Sequence, residues 1–257
     1  MTIHEFGRDN AKTIVLIHPS LVMWDYFEYV IPFLEKHYHL VIPALPGYDK
    51  DSASDFTGIE IIAGELTEWL VSHGCDTVSC IYGCSMGGSV VIRFLADGRI
   101  PVDSAVIDGG ITPYQLPWIF TRFIALKDFL TILLGKVGGI RILEKAFSTD
   151  EYSEEDLQYA AGVLNMISGK TIWRTFDSCN NYAMPEPVRI TCRHIEYWVT
   201  EKEQTARRQD IAYVKKHIPQ TVFRCFRNVG HGGLAVLHPE EFSRRLEKLI
   251  SSAVLIS

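Results

Sequence analysis

Short, β-branched apolar runs alternate with segments of helical periodicity along most of this chain. The runs predict strands at residues 12–18, 38–43, 77–82, 104–107, 194–199 and 220–226. The periodic segments predict helices at 24–36, 59–73, 87–97, 204–217 and 239–250. Because strands joined by a crossover helix run parallel, the pattern predicts an α/β fold with a mostly parallel, doubly wound sheet and helices on both faces.

The alternation is interrupted between residues 111 and 190, where only helical candidates occur. We therefore expect a core built from 1–110 and 191–257, with 111–190 inserted as a helical cap that is not an independent domain. A cap over a site would supply an apolar pocket and exclude water. One helical face within 116–134 either packs the cap on the sheet or lines that pocket, through Phe120, Phe123, Ile124, Leu130 and Leu134.

Composition excludes several classes of partner. The 257 residues carry a formal net charge of −6 and no basic block, so nucleic acid is not an expected partner. No uncharged apolar run reaches the ~18 residues of a membrane span, and a membrane role is not expected. What remains is a small-molecule substrate.

Cysteine usage bears on the compartment. The six cysteines form no C-x-x-C pair, and the first ten residues lack the basic-then-apolar pattern of a signal peptide. Both features favour reduced thiols and a cytoplasmic location.

The stretch Gly83-Cys84-Ser85-Met86-Gly87 lies between a predicted strand and a predicted helix. In that context G-x-S-x-G is typical of a nucleophile elbow, a turn so sharp that bulky residues two positions before or after the serine would clash. The elbow would present the Ser85 hydroxyl at the carboxyl edge of the sheet, where open α/β sheets carry their sites. The alternative is an ordinary tight turn between strand and helix.

A serine hydroxyl needs a base to become a good nucleophile. His231, in the glycine-rich stretch 228–233, follows the last predicted strand and precedes the last helix, so it can reach the same sheet edge. Seven other histidines occupy strand or helix ends, surface positions or the N-terminal segment: His4, His37, His39, His73, His194, His217 and His238.

Two carboxylates are candidates for the acid that orients the imidazole of His231. Glu203 follows the penultimate predicted strand, with Glu201 in the same loop. Asp108 ends the strand that follows the elbow. Both strand ends can approach the His231 loop, so the sequence leaves the choice open. Without such a role, Glu203 would be part of an acidic helix start and Asp108 a turn cap.

An oxyanion requires preorganised N–H donors. We expect one from Met86, which follows the nucleophile, and a second from the loop after the first clear strand. Ser20 is the best candidate in that loop and Leu21 the next, since Pro19 has no N–H.

Taken together, these stretches resemble the α/β-hydrolase superfamily. The likeness covers the whole chain except the insertion and rests on five motifs in the expected order: HPSL (18–21), ALPGYD (44–49), GCSMGG (83–88), TEKE (200–203) and VGHGG (229–233). Pro19, Cys84 and Thr200 depart from the usual residues of these motifs.

The resemblance implies an α/β-hydrolase fold with a helical cap and a serine hydrolase that cleaves a carboxylic ester or related acyl bond. The expected substrate is small and partly apolar, and the reaction passes through an acyl-enzyme. No metal or organic cofactor is implied, and the protein is expected to be a monomer or homodimer. A thioesterase, lactonase, acyltransferase or C–C hydrolase could use the same triad. A slow or non-catalytic ligand-binding protein of this fold is the alternative from another class.

Overall fold

The computed structural model describes residues 1–113, 117–139 and 153–254. Within these residues one sheet of seven strands has the order β1-β3-β2-β4-β5-β6-β7. Strand β1 runs antiparallel to β3, and the other pairs are parallel. The strands are β1 (Thr2–Phe6), β2 (Thr13–Ile17), β3 (His39–Ala44), β4 (Val78–Cys84), β5 (Val102–Asp108), β6 (His194–Thr200) and β7 (Val222–Phe226).

The central strands are apolar on both faces because helices cover both sides of the sheet. Every residue of β2 and β4 is buried, as expected of strands inside a parallel sheet. The last strand, β7, lies at the sheet edge and is largely exposed or half-buried. This arrangement confirms the α/β-hydrolase fold class and brings the carboxyl ends of β2, β4, β5 and β6 to one edge.

Outside the β5–β6 connection, the helices are α1 (Ile31–Leu34), α2 (Ile59–Ser72), α3 (Met86–Asp97), α7 (Arg208–His217), α8 (Gly233–Leu237) and α9 (Pro239–Val254). One core forms on the sheet face covered by α2 and α3. A second core forms on the opposite face, under α1 and α9. The two cores make the sheet the rigid centre on which the loops at its carboxyl edge are mounted.

The single helix predicted over 24–36 is wrong. A 3-10 turn (Trp24–Phe27) is followed by the separate helix α1, with Pro32 in its first turn. Proline has no N–H, so a continuous helix would lose one of its i to i−4 hydrogen bonds there. The chain therefore begins a new helix next to Pro32, where a missing N–H costs nothing.

Strand β1 has no counterpart among the predicted elements. Its sequence, TIHEF, is half polar, and only one of its edges is paired. Local periodicity is weak in such a strand because packing on β3, more than 30 residues later, defines its partner.

The connection between β5 and β6 contains helices α4 (Trp118–Gly138), α5 (Glu154–Met166) and α6 (Gly169–Asn181). They lie within the range predicted as the cap. Helix α4 packs on α5 and α6, and α6 packs on α3. Among the described residues, no helix combines the length and apolarity needed to cross a membrane.

The apolar face predicted on α4 points outward. Four of its side chains are between 48% and 64% exposed: Phe120, Phe123, Leu130 and Leu134. Ile124 is half-buried. The buried positions of α4 are instead Thr121, Ala125 and Gly135. The expectation that the face of Phe120 and Phe123 packs on the sheet or lines a pocket is therefore wrong for the four exposed residues.

Candidate active site

Ser85 occupies the turn between β4 and α3 with φ +52° and ψ −112°. This conformation is rare for a residue with a side chain and is typical of functional turns. The Ser85 N–H donates to the carbonyl of Asp108 (2.8 Å), and the Ser85 carbonyl accepts from the N–H of Ser89 (3.1 Å). Hydrogen bonds on both sides of the turn hold the serine at the carboxyl edge of the sheet.

The glycines around Ser85 lie where a side chain would collide with backbone. A Cβ at Gly83 would lie 2.2 Å from the carbonyl oxygen of Gly87. A Cβ at Gly87 would lie 2.3 Å from the carbonyl oxygen of Ile17, on the neighbouring strand β2. Steric crowding, the reason expected for these glycines at an elbow, is therefore present at both positions.

His231 and Glu203 lie together at this edge. His231 is in the loop between β7 and α8, and its Nδ1 is 2.5 Å from Glu203 Oε1. The other oxygen of Glu203 accepts from the N–H of Thr200 (3.1 Å), and the Glu203 N–H donates to the Thr200 carbonyl (3.0 Å). A tight turn after β6 thus fixes the carboxylate against the imidazole.

The pKa of Glu203 reflects this environment. Burial acts to raise the pKa, but the hydrogen bond and charge of His231, together with the bonds from Thr200, outweigh burial and lower it to about 2. Glu203 therefore stays ionised across the neutral range and can stabilise a positive charge on His231.

Asp108, the other candidate carboxylate, is buried at the end of β5. Its Oδ2 accepts from the Tyr82 hydroxyl (2.7 Å). Burial raises the pKa of Asp108 to about 6, against the lowering effects of the Tyr82 bond and of the charge of His231. Neither a hydrogen bond nor an ion pair joins Asp108 to His231 in the described structure. The backbone carbonyl of Asp108 accepts the hydrogen bond from Ser85 at the elbow, whereas its side chain accepts from Tyr82 on the neighbouring strand β4.

The residues predicted to supply the oxyanion donors belong to two segments of the site. Met86 is the first residue of α3, and N–H groups in a first turn have no acceptor within the helix. Ser20 and Leu21 follow β2 and line the same cavity as Ser85. Leu21 has φ +69°, which turns the chain sharply after Ser20.

His18 fixes the loop that carries Ser20, a role that the sequence did not reveal. His18 is fully buried; its Nδ1 donates to the Pro19 carbonyl (2.8 Å) and its Nε2 accepts from the Leu45 N–H (3.4 Å). Burial lowers the pKa of His18 to about 4, against the raising effect of the Pro19 bond, so the ring is neutral. The only signal in the sequence was its place at the head of HPSL.

Tyr26 is a second residue that sequence reasoning missed. Its hydroxyl donates to the carbonyl of Gly232, the residue after His231. The two residues are 206 positions apart, so no local pattern connects them. Glu201, by contrast, was considered beside Glu203 but is exposed.

A cavity of about 450 Å³ opens over Ser85 and His231. One wall comes from the loop after β2 and the 3-10 turn, and the other from α5 and the His231 loop. Its apolar lining includes Leu21, Val22, Leu157, Ala160, Leu164 and Val236. A cavity of this size accommodates a small organic molecule next to the serine.

Comparisons with known proteins agree with the fold. The chain is 25% identical over 142 residues, 52% of its length, to the magnesium-chelatase 30 kDa subunit of Rhodobacter capsulatus. That match spans 49%, about half, of the curated relative. An alpha/beta hydrolase family protein from Desulfitobacterium hafniense superposes with a TM-score of 0.74 at 22% identity, over 97% of this chain and 100% of the other.

A carboxylesterase structure from the thaumarchaeon Nitrososphaera gargenis superposes with a TM-score of 0.77 at 18% identity, over 100% of this chain and 96% of the other. At such identities, the superpositions show a shared fold and nothing about activity. The model of the alpha/beta hydrolase family matches residues 14–245, nearly the whole described sheet and its helices. The chain belongs to the alpha/beta hydrolase family.

Proposed function

We propose that this protein is a serine hydrolase that cleaves a carboxylic ester of a small, partly apolar substrate through an acyl-enzyme. One observation carries the proposal: His231, joined to Glu203 at 2.5 Å, lines the same cavity as Ser85 at the elbow. Nucleophile, base and acid then come from the ends of β4, β7 and β6, in the chain order Ser, acid, His of this hydrolase class.

In the proposed reaction Ser85 Oγ attacks the ester carbonyl carbon while His231 Nε2 takes the hydroxyl proton. The carbonyl oxygen becomes an oxyanion, which the N–H groups of Met86 and Ser20, or of Leu21 in place of Ser20, stabilise. When the C–O bond breaks, the imidazolium returns the proton to the leaving alcohol. Water, deprotonated by the same histidine, then attacks the acyl carbon. As the bond from that carbon to Ser85 Oγ breaks, the imidazolium returns the proton to Oγ, and the acid is released.

Glu203 serves as the acid in this scheme because its carboxylate contacts Nδ1 of His231. Holding that proton on Nδ1 leaves Nε2 free to face the serine. The low pKa of Glu203, about 2, keeps the carboxylate charged when the imidazolium forms. Asp108 is committed to Tyr82 and contributes a second, more distant negative charge.

The elbow residue argues against two other reactions known for this fold. Epoxide hydrolases and dehalogenases use a carboxylate where this chain has Ser85. Thioester, lactone and C–C bond cleavage and acyl transfer use the same groups as ester hydrolysis. The apolar lining near Ser85 favours a substrate with an apolar acyl or alcohol part.

A panel of p-nitrophenyl esters of increasing acyl length tests the proposal, with Ser85→Ala as the matched control. We expect hydrolysis by the wild-type protein that falls to background in Ser85→Ala, with a preference for short chains set by the cavity volume. A fluorophosphonate probe should label the wild type at Ser85. Equal rates in both proteins, or no labelling of folded wild type, would reject the enzymatic role and favour a ligand-binding protein.

A further inference from the structure

The cavity over Ser85 is strongly acidic. Four carboxylates line it: Asp25 and Glu28 from the 3-10 turn and the residue after it, and Glu155 and Asp156 from the first turn of α5. None of the described residues that line the cavity is Lys or Arg. Only His231 could carry a compensating positive charge among them.

Two of the four carboxylates have structural partners. Asp25 accepts a hydrogen bond from the Tyr159 hydroxyl. Asp156 accepts from the N–H and hydroxyl of Ser153 at the start of α5, in a capping box. Both carboxylates therefore have a structural role that requires no ligand.

Glu28 and Glu155 are less constrained: Glu28 accepts a hydrogen bond from the phenol of its neighbour Tyr29, and Glu155 lies in the first turn of α5. Both are exposed at the cavity, and neither forms an ion pair within the described part of the chain. Tyr29 lines the same cavity, and the charge of Glu28 is the main cause of the raised pKa of its phenol; burial, the charge of Asp156, the hydrogen bond to Glu28 and the charge of Glu155 add to it. Negative charges from both walls therefore converge on Tyr29 at the mouth.

The position of the ligand is given by a separate observation. Ser85 is only 7% exposed, lines this cavity, and its hydroxyl has no hydrogen-bond partner among the described residues. The hydroxyl is accessible from the cavity, where the carbonyl group of a substrate can meet it. A substrate whose carbonyl meets the buried Ser85 shares this cavity with Glu28, Tyr29 and Glu155, which are exposed to solvent.

We propose that the substrates of this site carry a positive charge, an amine or a quaternary ammonium group, on the part that lies at the mouth beside Glu28, Tyr29 and Glu155. The proposal rests on the proposed function and adds the substrate class. Carboxylates that no described cation neutralises attract a positively charged group and repel an anion across such a mouth. The rings of Tyr26, Tyr29 and Tyr159, which also line the cavity, add faces on which a cation is stabilised.

Binding to Ser85→Ala, which cannot turn over an ester, tests the charge preference directly. Isothermal titration calorimetry at low ionic strength would compare butyrylcholine with 3,3-dimethylbutyl butyrate, in which carbon replaces the ammonium nitrogen. We expect the cationic ester to bind about tenfold more tightly, and an anionic ester, monobutyl succinate, about tenfold more weakly than the neutral one. Equal binding of the three, or tightest binding of the anion, would overturn the proposal.

Substitutions locate the cause of the preference. Glu28→Gln with Glu155→Gln, in the Ser85→Ala background, should reduce the tenfold preference to about two- or threefold, since the paired carboxylates remain. Glu240→Gln is the matched control, because Glu240 is also an exposed glutamate in the first turn of a helix but lies outside the cavity. Full preference in the double variant would overturn the proposal.

The two proposals fail in different ways. If wild type hydrolyses 3,3-dimethylbutyl butyrate in a Ser85-dependent manner and Ser85→Ala binds all three esters equally, the serine hydrolase stands and the charge preference is wrong. If wild type hydrolyses none of the esters but Ser85→Ala still prefers the cation, the charge preference stands and the catalytic role is wrong.

Discussion

The elbow at the sheet edge and helix α4 differ in how strongly contacts with the rest of the chain fix their positions. Around Ser85, Gly83 and Gly87 lie against backbone atoms, those of Gly87 and of Ile17 on β2, and the serine itself is hydrogen-bonded on both sides. Helix α4 has 21 residues, yet only three of them are buried. A short motif at the elbow therefore predicts three-dimensional position, whereas the apolar periodicity of α4 predicts a helix without predicting what its apolar face contacts.

The difference has a physical origin. At the elbow, steric exclusion leaves one arrangement of strand, turn and helix, so residue type and position are tied together. On α4, periodicity specifies a stripe of apolar side chains. Which side of the helix is buried depends on its packing against α5 and α6, and the buried positions include the small residues Ala125 and Gly135.

The largest effect is expected at the sheet edge, in catalysis. Glu203→Gln should lower kcat for a p-nitrophenyl ester about 10⁴-fold, because the amide no longer holds the Nδ1 proton or stabilises the imidazolium. Asp108→Asn is the matched control and should lower kcat less than about tenfold, since Asp108 bonds to Tyr82 and not to His231. Similar losses in both variants, or a larger loss in Asp108→Asn, would contradict the assignment of Glu203.

Two helical glycines test the steric part of the comparison. In Gly87→Ala the new Cβ would lie 2.3 Å from the Ile17 carbonyl oxygen, and unfolding by urea should show a loss of about 3 kcal/mol or more. In Gly162→Ala, on α5, nothing lies within 4 Å of the new Cβ. That variant should gain about 0.5–1 kcal/mol from helix propensity. A tolerated Gly87→Ala would show that the elbow is less crowded than its contacts indicate.

Two leucines of the β5–β6 connection test its packing. Leu164, on α5, is 3% exposed, whereas Leu134, on α4, is 64% exposed. Leu164→Ala should reduce the free energy of unfolding by about 2–4 kcal/mol, and Leu134→Ala by about 0.5 kcal/mol or less. Thermal or urea unfolding of both variants measures the difference. A large loss in Leu134→Ala would show that the outward face of α4 is covered in the native protein.

Much of the fold could be predicted from the sequence because it rests on local patterns. Strands β2 to β7 coincide with predicted runs to within a few residues. The pattern is clearest in β2 and β4, because strands buried on both faces are apolar throughout. The misses are elements defined by distant partners or by a single residue. Strand β1 depends on its pairing with β3, and the break before α1 depends on Pro32.

The site residues likewise fall into those that a local motif predicts and those that only tertiary contacts define. Ser85 and His231 were candidates because each lies in a glycine-rich motif at a strand end. Glu203 and Asp108 could not be separated, since they end the adjacent strands β6 and β5, and the difference lies in which side chain reaches the imidazole. The contacts of Tyr26 and His18 with the site loops depend on tertiary packing and had no local signature.

The smallest expected effect is the pH dependence of the free energy of unfolding, to which Glu203 and Asp108 contribute with opposite signs. The pKa of Glu203 is lowered from 4.5 to about 2, so its ionised form stabilises the native state above pH 4.5, and this contribution is lost as the pH falls toward 2. The pKa of Asp108 is raised from 3.8 to about 6, so its contribution is present below pH 3.8 and is lost as the pH rises through 6.

Urea unfolding of wild type, Glu203→Gln and Asp108→Asn between pH 3 and pH 7 measures both contributions. The stability advantage of wild type over Glu203→Gln should grow by about 2 kcal/mol as the pH rises, because only wild type gains the ionised pair with His231. Relative to Asp108→Asn, wild type should instead lose about 1–2 kcal/mol over the same range, because Asp108 must ionise in a buried site. If the two stability differences changed with pH in the same direction, Glu203 and Asp108 would share one electrostatic environment. The proposed distinction between the two carboxylates would then be wrong.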